Sequence, residues 1–240
     1  MNLSESTKVR QVAMSSSDAR KILEQAGVDY CCGGDKSLRD ACTQSDASLD
    51  EIMERLRVAE EPLSGQGAEW TLAPLPELTR HIVSRHHSYV REAIRRIEPL
   101  IGKVKAKHGE RHPELIRVET LFLQTADEMI AHMQKEEQVL FPYINALALA
   151  TAENRAIEPP FFRTVRNPIR TMMKEHDSAG ELIRGIRRET LDYKAPSDAC
   201  PSFQALYREL GEFEVDLHEH VHLENNVLFP RAIELETAPR

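Results

Sequence analysis

Two stretches of this chain carry the same metal-binding side chains at the same spacing. His132-Met133-Gln134-Lys135-Glu136-Glu137-Gln138-Val139-Leu140-Phe141-Pro142 and His220-Val221-His222-Leu223-Glu224-Asn225-Asn226-Val227-Leu228-Phe229-Pro230 both read H-x-x-x-E-x-x-V-L-F-P. His87 precedes the first copy by 45 residues, and His176 precedes the second by 44. A histidine and a glutamate four residues apart lie one helical turn apart on one face, so their donor atoms can converge on one centre. Two such turns, with one further imidazole each, supply four nitrogens and two carboxylates. That set suits two iron ions bridged by carboxylates. Mixed nitrogen and oxygen donors with positions left open fit iron, whereas zinc favours a closed tetrahedral set. Glu136 and Glu224 on an apolar face would each cost roughly several kcal/mol to bury without a cation.

Other readings of the same residues exist. A single H-x-x-x-E is commonly an exposed helical pair, but two copies with matching upstream histidines are not explained that way. A ferritin-like carboxylate site needs Glu-x-x-His, and the order here is reversed and one residue longer. His81, His86, His218 and His222 fall off the apolar stripes and read as solvated or outer-layer groups, with His86 the nearest rival of His87.

The elements that must position these residues follow from periodicity. Four amphipathic segments are expected at about 77–107, 113–147, 160–190 and 202–235. The first carries the stripe Val83, His87, Val90, Ile94, Ile97 and Ile101. The second carries Phe122, Thr125, Met129, His132, Glu136, Val139 and Tyr143. The third runs through Ile169, Met172, His176, Ala179 and Ile183, and the fourth through Leu210, Phe213, Leu217, His220, Glu224 and Val227. Each proposed ligand stands where a core leucine would be expected. Short joining segments make neighbours antiparallel, which predicts an all-α, up-down-up-down four-helix bundle. His108 lies 21 residues beyond His87, about 31 Å along a continuous helix, at the first turn of the bundle.

The rest of the 240 residues divide by composition. Residues 1–60 read as a small helical domain, 61–76 as a linker dense in Pro, Gly and Ser, and 77–240 as the bundle. Within the first, Cys31 and Cys32 are followed by Gly33 and Gly34, which free the backbone to present the sulfurs outward. They read as thiols for transient transfer of iron or nitric oxide, against the plainer reading of two small buried side chains. The four cysteines form no secreted disulfide framework. No leader and no run of about 18 apolar residues is seen, so a cytoplasmic protein without membrane contact is expected. A net charge of −8 with no basic stripe argues against nucleic acid.

Several segments resemble the Repair of Iron Centers family. Asp29-Tyr30-Cys31-Cys32-Gly33-Gly34 with Ser37–Cys42 looks like its small N-terminal domain, and residues 132–142, 175–182 and 220–232 look like its bundle motifs. The resemblance implies a hemerythrin-like fold in which His87, His132, Glu136, His176, His220 and Glu224 hold two irons, the same six reached from spacing. Some descriptions of that family add a histidine matching His108. It further implies repair of iron–sulfur clusters damaged by oxidative or nitrosative stress, with damaged iron–sulfur proteins as partners. Nitric oxide or another small diatomic is a second ligand class at the same irons. Oxygen storage ranks lower, since it leaves the thiol pair without a use. Pairing into a homodimer is left open.

Overall fold

The computed structural model describes residues 3–59 and 69–237. Among them the chain is all-α, with one isolated antiparallel bridge between Lys8 and Ser37 and no strand. Of the expected linker, 61–76, the first half, 61–68, lies outside the described residues, and the second half is partly helical, with helices over Glu69–Leu72 and from Leu75 on. The described residues divide into two compact units: one takes those up to Leu78 together with those from His218 on, and the other is Thr79–Leu217.

The first unit contains α1 (Val9–Ser15), α2 (Ser17–Gln25), α3 (Leu38–Gln44), α4 (Leu49–Ala59) and the short α5 (Glu69–Leu72). Ser16 and Ser37 cap α2 and α3, their hydroxyls accepting the N–H of Ala19 and Asp40 at 3.0 and 3.1 Å. Gly27 ends α2 at φ +67°, a conformation that costs glycine little. Val9, Val12, Leu23, Leu38, Ile52 and Leu56 close this core. The same unit holds the end of the last helical stretch, where Arg231 donates to the carbonyls of Trp70 and Ala73 at 3.1 and 2.6 Å.

The second unit is a bundle. Helix α6 (Leu75–His81) continues through a wide π turn (Ile82–His87) into α7 (Ser88–His108). Helix α8 (Glu114–Lys135) continues through a second wide turn (Glu136–Leu140) into α9 (Phe141–Ala152). Helix α10 spans Arg166–Glu189. Helix α11 (Pro201–His222) starts in this unit and runs through a third wide turn (Leu223–Leu228) into α12 (Phe229–Thr237). Pairings run in opposite senses. Lys105 meets Glu119 and Arg91 meets Glu137 across α7 and α8. Ser178 meets Glu128 across α10 and α8. Arg187 meets Glu214 and Arg96 meets Glu209 across α11 and its neighbours. Up-down-up-down order follows directly. Phe122 and Phe213 close the middle, their rings edge to face at 5.5 Å.

The wide turns correct the expected stripes. A π turn spends one extra residue, so the apolar face slips by one position across it. Val83 was expected inside, but it is half-buried and Ile82 takes the core place. After Glu136, Val139 and Tyr143 are likewise half-buried, and Leu140 and Ile144 are the core residues. Two of the wide turns end just before Phe-Pro. Pro142 and Pro230 have no N–H to give, and their rings collide with the carbonyl four residues earlier, which opens the preceding turn. The ladder resumes one residue late: Phe141 N–H donates to the Glu136 carbonyl and Phe229 N–H to the Glu224 carbonyl. In the third segment the helix begins at Arg166, not near 160: Pro159 and Pro160 disfavour helix in the residues before them, and 161–165 form turns with Arg163 at φ 69°, outside helical geometry.

Candidate metal centre

Within the bundle, His87, His132, Glu136 and His176 are brought together and are fully buried. Glu136 Oε2 lies 3.4 Å from His87 Nε2 and 3.3 Å from His132 Nε2. His132 Nε2 and His176 Nε2 are 3.0 Å apart. His132, Glu136 and His176 each offer a donor atom, all within 4.8 Å of one another.

The outer nitrogens explain why the inner ones face inward. His87 Nδ1 donates to Glu137 Oε1 at 2.6 Å, and His132 Nδ1 donates to Glu175 Oε2 at 2.8 Å. A carboxylate only accepts, so each Nδ1 carries the proton and each Nε2 turns a lone pair to the centre. Burial alone would raise Glu137, but Arg91 at 2.7 Å and the His87 ring outweigh it and hold the carboxyl below its ordinary value. The His132 ring, opposed by burial and helped by Lys135, holds Glu175 down to about 2. The inner face is therefore a cluster of lone pairs and a carboxylate at close range. A cation is the group that fits such a donor set.

Glu137 and Glu175 were not singled out from spacing. The signal lay beside known positions: Glu137 follows Glu136, and Glu175 precedes His176.

In the other unit, His220 and Glu224 form the matching pair, with Nε2 and Oε1 3.0 Å apart, both fully buried. The off-stripe histidines are less solvated than expected. His86 is buried with Nδ1 3.2 Å from Asp216 Oδ1, and so faces away from the Glu136 cluster. His218 meets Glu24 at 2.9 Å. His222 is buried against Asn226. His81 stacks edge-on to His86 at 5.6 Å.

His108 ends α7, as the length argument places it, and belongs to none of the metal-capable groups among the described residues. Its Nε2 lies 3.2 Å from Cys200 Sγ. The N–H groups of Phe203 and Ser202 in the first turn of α11 also point at that sulfur, and Lys107 and Lys103 add positive potential. Together they lower the Cys200 thiol against the opposing effect of its burial. Burial pushes Cys42 the other way. A lowered thiol holds more thiolate at a given pH, so iodoacetamide followed by peptide mass mapping should modify Cys200 before Cys42 at pH 7. Equal rates would contradict that placement.

Cys31 and Cys32 are not both turned outward as the glycine-rich turn implied. Cys31 is buried and Cys32 half-buried, with sulfurs 3.9 Å apart. Asp29 folds the loop: its Oδ1 accepts the N–H of Cys31, Cys32 and Gly33 at 3.2, 2.9 and 3.1 Å. The Cys32 sulfur, then burial and the Asp29 charge, push the Cys31 thiol well up, so it keeps its proton. Asp29, Cys31 and Cys32 form another group whose donor atoms lie within 4.8 Å of one another.

Residues 78–232 match the Hemerythrin HHE cation binding domain, and residues 5–60 match a domain of unknown function, DUF542. The chain is 36% identical over 227 residues to a "Probable iron-sulfur cluster repair protein" of Haemophilus influenzae, covering 94% of this chain and 96% of the relative. It is also 36% identical over 225 residues to the "Iron-sulfur cluster repair protein YtfE" of Salmonella choleraesuis, covering 93% and 94%. With buried histidines and a glutamate converging inside the stretch that matches a cation-binding domain, this chain belongs to the hemerythrin HHE cation-binding family, among the iron–sulfur cluster repair proteins.

Proposed function

We propose that this chain holds two iron ions and returns iron to iron–sulfur clusters damaged by oxidative or nitrosative stress. His87, His132, Glu136, His176, His220 and Glu224 would hold the pair, with the two glutamates shared between the ions. The observation that carries the reading is the inward-facing donor cluster of His87, His132, Glu136 and His176, each Nδ1–H of His87 and His132 already given to a carboxylate. Its repeat partner His220–Glu224 falls within the same family match, 78–232. Ferrous iron supplied to a damaged cluster restores its metal content, and here the iron is cargo. With two histidines per ion and the glutamates shared, coordination positions stay open on each, and the ion is held less firmly than in a closed shell. Cys32, the more exposed of the thiol pair, offers a sulfur to the departing ion, while protonated Cys31 waits beside it. Four free cysteines suit a reducing cytoplasm, and among the described residues no helix is long and apolar enough to cross a membrane.

The test is to load the chain with ferrous iron, count the bound metal, and add a cluster enzyme inactivated by peroxide or nitric oxide. Recovery of activity with matching loss of bound iron supports the proposal. Iron that stays bound while nitric oxide is taken up replaces it with a nitric oxide binder.

One prediction concerns the residues that aim the rings. Glu175→Gln keeps shape and volume but gives His132 Nδ1–H a weaker acceptor. Iron affinity should fall about 10- to 100-fold, the usual effect of removing an orienting partner. Competition with a ferrous chelator measures it, and unchanged affinity would show that Glu175 serves only the surface pair with Lys135.

A further inference from the structure

The two copies of the repeat differ at the positions just after the glutamate. The first has Glu137 and Gln138, and the second has Asn225 and Asn226. Glu137 orients His87. The two asparagines face a different group. Asn225 Nδ2 donates to the Cys31 carbonyl at 3.2 Å, and Asn226 Nδ2 donates to the Tyr30 carbonyl at 2.9 Å. The second hydrogen on Asn226 Nδ2 goes to His222 Nδ1 at 3.0 Å, so both are used. An amide Nδ2 only donates, so His222 Nδ1 is the acceptor there. Gly34 closes the fit from the other side. A Cβ at that position would stand 2.5 Å from Asn226 Oδ1 and 3.0 Å from Arg10 Cβ. Two carbonyls and one glycine of the two-cysteine loop are thus matched to the two side chains that follow Glu224.

The turn they grip needs support. It is wound wide, with the Glu224 carbonyl taking the N–H of Phe229 five residues on. Such turns are less favourable than regular α-helix and persist where something else holds them.

We propose that Asn225 and Asn226 are positioning residues: they strap the two-cysteine loop to the wide turn bearing Glu224, and the docked loop keeps that carboxylate in its ligating posture. This rests on the iron-holding role proposed above. Loss of the strap leaves the turn free to relax towards ordinary winding, which swings Glu224 off its donor position and loosens the iron. The straps run to backbone carbonyls, so they depend on the loop's position and not on its thiols.

The experiment uses the full chain. Asn226→Ala removes two hydrogen bonds. Gly34→Ala keeps every donor and every proposed ligand but pushes the loop away. Hydrogen exchange at Cys31, Cys32 and Gly33 in metal-free protein reads docking, and transfer of ferrous iron to ferrozine reads retention. Both variants should exchange faster in the loop and lose iron about tenfold faster or more, in the range expected for an outer partner of a ligand. Gln138→Ala, at the exposed first-copy position that matches Asn226, should match the wild type in both readouts. Wild-type iron loss from a variant whose loop exchanges faster would overturn the proposal and leave the iron-holding role standing. So would unchanged exchange in both variants, or fast iron loss in Gln138→Ala alone. A wild-type chain that takes up no ferrous iron overturns both.

Discussion

Glu136→Ala is expected to cost the chain at least one of the two proposed irons while leaving the metal-free fold intact. Glu136 Oε2 is within 3.4 Å of one imidazole and 3.3 Å of another, so a single side chain serves both. Losing an outer partner costs a metal site about 10- to 100-fold, and losing a shared ligand should exceed the upper end of that range. Purified variant should carry at most one iron per chain by metal analysis. The stability result runs the other way. Glu136 is fully buried, and a buried carboxylate is unfavourable without a cation. The metal-free variant should therefore unfold at a urea midpoint equal to or above that of the metal-free parent. A variant that keeps two irons would end the assignment, and one that cannot fold without metal would make Glu136 a structural group.

The second large effect lies away from the proposed metal site. Arg187 makes a forked contact with Glu214, its Nε reaching the two carboxylate oxygens at 3.1 and 3.0 Å and its Nη2 reaching Oε2 at 2.6 Å. It also stacks on Tyr193 at 5.5 Å. Burial would lower Arg187, but Glu214 outweighs it and raises the guanidinium further. Glu214 is 1% exposed, whereas Arg187 keeps 35% of its side-chain surface in water. Arg187→Met takes the cation from a buried carboxylate, a change worth about 3–5 kcal/mol for a fully enclosed pair. The exposed side of Arg187 places the loss near the lower figure, about 3 kcal/mol. Urea unfolding of metal-free protein at constant slope would show it. Adding Glu214→Leu to the variant should recover most of the loss, and failure to do so would assign the effect to the Tyr193 stack instead.

Much of the bundle could be read from the chain because its helices are long and their apolar faces regular. Helical phase put His87 ahead of its neighbour His86 without settling the choice. In the structure His87 turns to Glu136, while His86 turns to Asp216. Pattern reading went astray where it carried a 3.6-residue period across a wide turn. Val83, Val139 and Tyr143 were placed inside on that assumption, and the neighbouring Ile82, Leu140 and Ile144 hold those places. The reason is local: a turn with an i+5 bond has a different count, and nothing in hydrophobicity reports it. The Phe-Pro that ends both copies was the available clue. Glu137 and Glu175 escaped notice because a half-exposed carboxylate on a charged helix looks like any other until its partner is known. The asparagine grip on the cysteine loop joins residues almost 200 positions apart in the chain, a distance no periodicity spans.

The wide turns also have a bearing on how chains of this kind can be edited. Each one stores a single surplus residue at a proposed ligand. If those residues do hold metal, a descendant that gave it up would lose its reason to keep that surplus. One-residue gaps in comparisons with such descendants should therefore gather between Glu136 and Leu140, and again between Leu223 and Leu228, ahead of any change in the helices on either side.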